Sequence, residues 1–337
     1  MKSAGWLPFI VLGGLCGACG SLLDIDDVEF ADGTGGAATA TGAEGGFGGS
    51  GTTTGTTTGT ATGGSGGHAG GGNAGGAGGA GGTGCVLGPF GAATELVELN
   101  SGSGDWDASV TGDELTIYFA SPRSGTLGGT DIWSATRPTI GASFDPPQNV
   151  AELNTTSAEG DPDVTADGLT MYFASQRSGG SGDHDIWVAS RSATTEPFGA
   201  AQNITDLNTA SEDRDTTVSA DGLTVYFVSD RSGGLGGRDI WQASRPSLVQ
   251  PFSAPVNVSV LNSAGRDANP ELSSDGLTIY FDSERAGGVG QGDIWYATRS
   301  SRTEPFSAPV NLSELNTTDE DLDPEISSDG LSMYFSS

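Results

Sequence analysis

The stretch RSGGLGGRDIWQASR, residues 231–245, recurs in near copies as RSGTLGGTDIWSATR from Arg123, RSGGSGDHDIWVASR from Arg177 and ERAGGVGQGDIWYATR from Glu284. Its aspartate stands at Asp131, Asp185, Asp239 and Asp293, each 54 residues after the one before. A period of this size marks a supersecondary unit that buries its apolar surface by stacking on its own copies. The same spacing carries Phe90, Phe144, Phe198, Phe252 and Phe306, and Asn100, Asn154, Asn208, Asn262 and Asn316. It also carries the pairs Tyr118-Phe119, Tyr172-Phe173, Tyr226-Phe227, Tyr280-Phe281 and Tyr334-Phe335 without one insertion or deletion.

Each unit reads as strands and turns. LTVYFVS, residues 223–229, is rich in β-branched and aromatic residues and apolar on both faces, so both faces must be covered. SADG and SSDG before the aromatic strand are tight-turn sequences in which glycine supplies a positive φ. DTTVS or PELSS gives a first strand, DIWQAS a third and FSAPVNVSVLN a fourth; no stretch carries a 3.6-residue apolar period over the length of a helix. The glycines turn the chain from second to third strand, and Arg231 and Asp239 are placed to pair across that turn. The expected fold is all-β: a β-propeller of four-stranded blades with a 54-residue repeat.

The segment DPDVTADGLTMYFASQRSGGSGDHDIWVASR, residues 161–191, resembles the WD40-like (PD40) repeat of TolB-type propellers. The shared features are the Asp-Gly turn, the aromatic strand, Ser-x-Arg, the glycine-rich loop and Asp-Ile-Trp. The resemblance covers about residues 85–337 and implies an envelope-located propeller that acts by binding other proteins or cell-wall components. Five aromatic strands stand against four Asp-Ile-Trp strands. A ring sealed by joining the ends would set Phe90–Asn100 beside residues 323–337, with the third strand of that blade missing. Five blades with the last incomplete are therefore expected, a chain truncated from a larger propeller being the alternative.

The net charge is −30, with 43 acidic residues against twelve arginines and the single lysine, Lys2. Such a chain repels nucleic acid and anionic lipid and favours a basic ligand or a divalent cation. Lys2 precedes an apolar run from Ala4 to Leu15, too short to span a bilayer and suited to an export signal. Residues 1–18 resemble a bacterial lipoprotein signal peptide, which makes Cys19 the lipidation candidate and leaves Cys85 without an intrachain partner. An ordinary secretory signal is the alternative. Residues 31–84 are almost wholly Gly, Thr, Ala and Ser, with too little apolar surface to offset the entropy of ordering. The 19–84 segment then reads as an anchor and a disordered tether ahead of a propeller over 85–337.

The turn into each first strand carries polar pairs: Asp105 and Asp107, Glu159 and Asp161, Asp213 and Asp215, Asp267 and Asn269, Asp321 and Asp323. Residues two apart on a strand point to one side, and first strands line a propeller's axis. This places a candidate ring for Ca²⁺ or a basic peptide there, with solvated Asx-turns as the plainer reading. Catalysis needs groups in unlike roles. Of two histidines, His68 lies in the tether and His184 in a glycine-rich turn with no marked serine beside it. Zinc's usual His and Cys ligands are scarce, and every axial carboxylate has sisters in other blades. The GGxGxD-like loops and the Asn-x-Ser/Thr triplets fall at repeat positions and belong to the repeat.

The expected protein is a non-catalytic scaffold, lipid-anchored at the bacterial outer membrane, periplasmic or surface-exposed. Its partners would be envelope proteins or cell-wall components, with no nucleic acid and no membrane contact beyond the anchor. It needs no cofactor, apart from Ca²⁺ in the ring reading. The alternatives are a carboxylate-based carbohydrate-active propeller enzyme and a calcium-dependent surface adhesin.

Overall fold

A computed structural model describes residues 9–16, as backbone, and 87–337. The expected cleavage site, Cys19, Cys85 and the tether lie outside the described residues. Every regular element among the described residues is a strand. The first full blade runs β4 (Trp106–Val110), β5 (Thr116–Ser121), β6 (Asp131–Thr136) and β7 (Gln148–Asn149). The pattern repeats in β8 (Glu159–Val164), β9 (Thr170–Ser175), β10 (Asp185–Ser190) and β11 (Gln202–Asn203). It repeats again in β12 (Asp213–Val218), β13 (Thr224–Ser229), β14 (Asp239–Ser244) and β15 (Val256–Asn257). The fourth blade is β16 (Asp267–Leu272), β17 (Thr278–Ser283), β18 (Asp293–Thr298) and β19 (Val310–Asn311). Neighbouring strands are antiparallel, in sequence order within each sheet.

The fifth sheet joins the two ends of the described chain. Strands β20 (Leu322–Ile326) and β21 (Ser332–Ser336) are its inner pair. Its outer strands are β2 (Leu87–Phe90) and the short β3 (Thr94–Glu95). The third place, expected to be missing, is taken by β1 (Phe9–Cys16). Phe9 pairs with Ser336 and Ile10 with Glu95, the register in which Ile132 pairs with Ala120 and Trp133 with Asn149 in the first blade. An apolar run of strand length suits a place covered on both sides, which is why the core of the apparent export signal fits there.

The aromatic strands are buried on both faces, as their composition requires. Tyr118 and Ile132 of the first blade pack with Met171, Phe173 and Trp187 of the second, and Tyr226 and Ile240 of the third pack with Phe281 and Trp295 of the fourth. Fully burying each such side chain stabilises by roughly 1.5–3 kcal/mol. Polar joints fix the stagger of one blade on the next. Arg191 donates to the Tyr118 hydroxyl at 2.9 Å and lies 4.3 Å from the centroid of the Phe198 ring. Arg299 repeats this with Tyr226 at 3.1 Å, and Arg137 donates to Tyr334 at 3.0 Å, which seals the first blade to the fifth. At that seal Glu114, with φ of 54°, occupies the position held elsewhere by Gly168, Gly222, Gly276 and Gly330, and its carboxylate accepts from Tyr334 at 2.7 Å.

The glycine-rich loop docks on the following blade. A side chain at Gly182 would lie 2.1 Å from the Ser211 carbonyl oxygen, and one at Gly236 would lie 2.2 Å from that of Gly265. The arginine beside the loop does not pair with the aspartate across it. Asp239 accepts from the Leu235 N–H at 2.6 Å and the Gly236 N–H at 3.3 Å, while Arg231 turns back to Asp213. Once its own loop satisfies Asp239, the nearest uncompensated charge for Arg231 is the buried acid at the start of the first strand.

Candidate functional site

The ten candidate residues separate into two sets with different surroundings. Asp105, Glu159, Asp213, Asp267 and Asp321 are buried inside the blades and do not ring the axis. Each accepts the N–H that opens its loop: Ser101 to Asp105, Thr155 to Glu159, Thr209 to Asp213, Ser263 to Asp267 and Thr317 to Asp321. Four are paired with the Ser-x-Arg arginine: Arg123 with Asp105, Arg177 with Glu159 at 3.3 Å, Arg231 with Asp213 and Arg285 with Asp267 at 2.6 Å. The Arg231 guanidinium also lies 4.9 Å from the Phe227 centroid and 5.3 Å from that of Trp241. This set satisfies turn N–H groups as in the plainer reading, but from buried rather than solvated positions, and Asp321, which lacks the arginine, keeps Oδ1 without a partner.

Asp107, Asp161, Asp215, Asn269 and Asp323 line one axial cavity. The two-residue period does not carry both sets to one side, because each first strand has a bulge at this point. All five inner residues have φ between 47° and 55°, and the strand register shifts at Trp106/Ser109, Gly160/Asp163, Arg214/Thr217, Ala268/Glu271 and Leu322/Glu325. Asp and Asn enter the left-handed region more readily than other side chains, and a bulge re-aims the chain. The first acid of each pair thus stays in the blade and the second reaches the axis.

Below this ring the same strands supply a second layer that the sequence reading passed over: Ser109, Asp163, Thr217, Glu271 and Glu325. These groups tie adjacent blades together. Val110 donates its N–H to Glu325 at 2.8 Å, Val164 donates to the Ser109 hydroxyl at 3.0 Å, and Thr217 donates its hydroxyl to Glu271 at 3.1 Å. Other residues that break the repeat crowd the upper ring. Arg214 bridges Asp161 at 2.7 Å and Asp215 at 2.8 Å, and Arg266 pairs with Asp282. Asn269 donates to Asp323 at 2.5 Å. Their signal lay in departure from the consensus, since 214 is Trp106, Gly160, Ala268 or Leu322 in the sister units.

Charge at the axis exceeds what the two arginines neutralise. Asp161 and Asp215 are each 5 % exposed, yet Oδ2 of both, and Oδ2 of Asp107, meet no amide, hydroxyl or guanidinium donor; the further hydrogen bond that lowers Asp161 comes from the Asp107 carboxyl itself. Burial works against ionisation of Asp161, but Arg214 beside it holds the carboxyl at about 2. Burial lifts Asp215 to about 6 against the pull of Arg214, and burial with Asp282 nearby lifts Asp323 to about 6. Asp107 is raised well above the carboxylate range by burial and by its three acidic neighbours, Asp323, Asp161 and Asp215. In the second layer burial pushes Asp163 to about 7 and Glu325 to about 8, and burial plus Glu325 raises Glu271 strongly. Protons therefore stand where positive charge is needed.

The cavity between these groups is about 50 Å³. At roughly 10–15 Å³ for each water, it admits a few waters, one ion or one ammonium or guanidinium head. A wider space of about 760 Å³, lined by residues of all five blades from Val110 of the first to Ile326 of the fifth, also includes Asp163, Glu271 and Glu325 in its wall.

No protein-family model matches the chain, and no curated protein matches it in sequence. Solved structures with similar sheets include TolB from Acinetobacter baumannii, at 16% identity over 73% of this chain and 57% of that one, TM-score 0.43. A thermostable family-43 glycoside hydrolase aligns at 14% identity over 69% of this chain and 82% of its own, TM-score 0.47. The α-L-arabinofuranosidase PaAbf62A from Podospora anserina, in complex with cellotriose, aligns at 14% identity over 68% and 79%, TM-score 0.46. Likenesses this distant carry no argument about activity.

Proposed function

We propose that the chain is a non-catalytic binding propeller whose axial ring captures a cationic group, either Ca²⁺ or a basic side chain of a partner protein. The observation that carries this reading is the set of buried Oδ2 atoms of Asp107, Asp161 and Asp215, which meet no amide, hydroxyl or guanidinium donor, around a cavity of ion size. A buried carboxylate without a partner is costly, and a cation that replaces the proton on its neighbours removes that cost. Export, a lipid anchor at Cys19 and partners among envelope proteins or cell-wall components complete the proposal, on the strength of the N-terminal sequence and the repeat resemblance; the anchored form would have shed residues 1–18 and with them β1, which leaves the third place of its fifth sheet open.

Unequal carboxyls support a second reading, glycoside hydrolysis, because Asp161 held at about 2 and Asp163 at about 7 sit on one strand. Such chemistry needs an ionised carboxylate and a proton-holding one on either side of a sugar. Asp161 opens on a space too small for a sugar ring. On the wide side, Asp163, Glu271 and Glu325 all hold their protons more strongly than ordinary carboxyls, so no ready base is present. Thermal melting of the full chain with Ca²⁺, with a short lysine-rich peptide and with neither is the direct test. A rise in Tm with one of the cations is expected at pH 8, together with no turnover of 4-nitrophenyl glycosides. Identical melts in all three conditions would exclude the cationic ligand, and turnover would establish the enzyme.

A further inference from the structure

Three side chains outside the axial ring meet at one blade junction. Asp183 and His184 lie in the glycine-rich loop of the second blade, and Glu212 lies in the loop leading into β12 of the third. Asp183 and His184 have no like residue in the other units, and Glu212 has one. The sisters of Asp183 are Gly129, Gly237 and Gln291, those of His184 are Thr130, Arg238 and Gly292, and those of Glu212 are Gly104, Ala158, Arg266 and Glu320. A feature found in every blade serves the blade; this combination occurs once.

We propose that Asp183, His184 and Glu212 form a metal site for a divalent transition ion of the Zn²⁺ class, bound through one imidazole nitrogen and two carboxylate oxygens. One ligand atom from each residue lies within 4.8 Å of the other two. Nδ1 of His184 is shielded from solvent and has no hydrogen-bond partner. It stands 3.7 Å from Oδ2 of Asp183, too far for a hydrogen bond. Two ligands of a tetrahedral ion with bonds of about 2.0–2.1 Å are roughly 3.4 Å apart, so a small rotation of Asp183, whose side chain is 68 % exposed, brings the pair into range.

Each carboxylate also has an outer partner that leaves one oxygen available. Gln176 donates to Oδ1 of Asp183 at 3.3 Å, and Arg238 donates to Oε2 of Glu212 at 2.6 Å. Orienting contacts of this kind set ligands around bound metals. The backbone holds the two loops together, with the Asp213 N–H donating to the His184 carbonyl at 2.9 Å. An imidazole among the donors favours Zn²⁺, Co²⁺ or Ni²⁺ over Ca²⁺ and Mg²⁺. Three protein ligands leave a fourth position for water or for a group on a partner. A metal held across two loops would clip the second blade to the third and stabilise the ring by mass action.

Calorimetric titration of the full chain with Zn²⁺, and absorption spectra with Co²⁺, test the site. One metal per chain with a Co²⁺ spectrum free of thiolate charge transfer is expected, which separates this site from Cys16, Cys19 and Cys85. His184→Gln and Glu212→Gln should each weaken Zn²⁺ at least tenfold and abolish its effect on Tm, while melting like wild type without metal. Glu320→Gln, at the exposed counterpart of Glu212 ahead of the fifth blade, should leave Zn²⁺ binding unchanged. Equal Zn²⁺ affinity in wild type and His184→Gln, or no binding by wild type, overturns the proposal.

Discussion

Asp213 and Asp215 stand two residues apart on the same strand, carry the same charge and recur with the same period, yet their surroundings are opposite. Asp213 is enclosed by the Thr209 N–H, the Arg231 guanidinium and the aromatic rings that Arg231 covers. Asp215 shares Arg214 with Asp161 and leaves Oδ2 without a partner beside the axial cavity. Repetition marks both positions as part of the unit. Only the count of partners separates a group that holds the blade together from one left free to hold something else.

The largest effect is expected from removing the arginine of the satisfied set. Arg231→Leu leaves Asp213 as an uncompensated buried charge, at a cost of about 3–5 kcal/mol. Tm should fall by on the order of 10 °C in a domain of this size, measured by calorimetry. A change near zero would show that the blade does not depend on this pair.

The axial set should make stability fall as pH rises, the reverse of an ordinary acidic protein. Asp215, Asp323, Asp163 and Glu325 are protonated in the folded chain up to about 6, 6, 7 and 8, whereas the unfolded chain ionises them near 4. Between those values the folded state binds more protons, so stability is full below about pH 4 and is lost as pH rises toward 8. Asp161, held at about 2, acts in the opposite sense and loses its contribution only as pH falls from about 4 through 2. A tenfold change in proton affinity is about 1.4 kcal/mol, so Tm at pH 5 should exceed that at pH 8 by at least about 2–4 °C. Glu325→Gln should flatten the profile. A stability that instead climbs from pH 5 to pH 8 would contradict the axial electrostatics.

The smallest effect is expected at the seal between the first and fifth blades. Glu114→Gly restores the residue of the sister turns and relieves about 1 kcal/mol of left-handed strain. It also removes the acceptor of Tyr334 and the carboxylate 3.6 Å from Arg137, at about 1–3 kcal/mol. The net loss should be about 1 kcal/mol in chemical denaturation. A gain would mean that the seal rests on packing alone.

The fold was legible because the aromatic strand, the Asp-Gly turn and the glycine loop each state a local requirement, and the fixed period states that they stack. The partner of Arg231 was not legible, since sequence distance favoured Asp239 and only the folded loop satisfies that aspartate first. The split of the ten candidate residues was hidden by the bulge: alternation puts 213 and 215 on one side, and a positive φ at 215 moves them apart. Asp163, Glu271 and Glu325 were legible in principle, as acids two residues beyond the inner ring where Ser109 and Thr217 stand in other units. The strand completing the fifth sheet came from residues whose composition spoke for export.

Asp213→Asn and Asp215→Asn, compared in one experiment for Tm and for affinity toward the cation that stabilises wild type, test the division most directly. Asp213→Asn should melt well below wild type and keep its cation affinity wherever it is folded, whereas Asp215→Asn should melt within about 1 kcal/mol of wild type and bind the cation at least tenfold more weakly. The contrary result, with Asp215→Asn unfolding the ring and Asp213→Asn losing the cation, would reverse the assignment of the two sets.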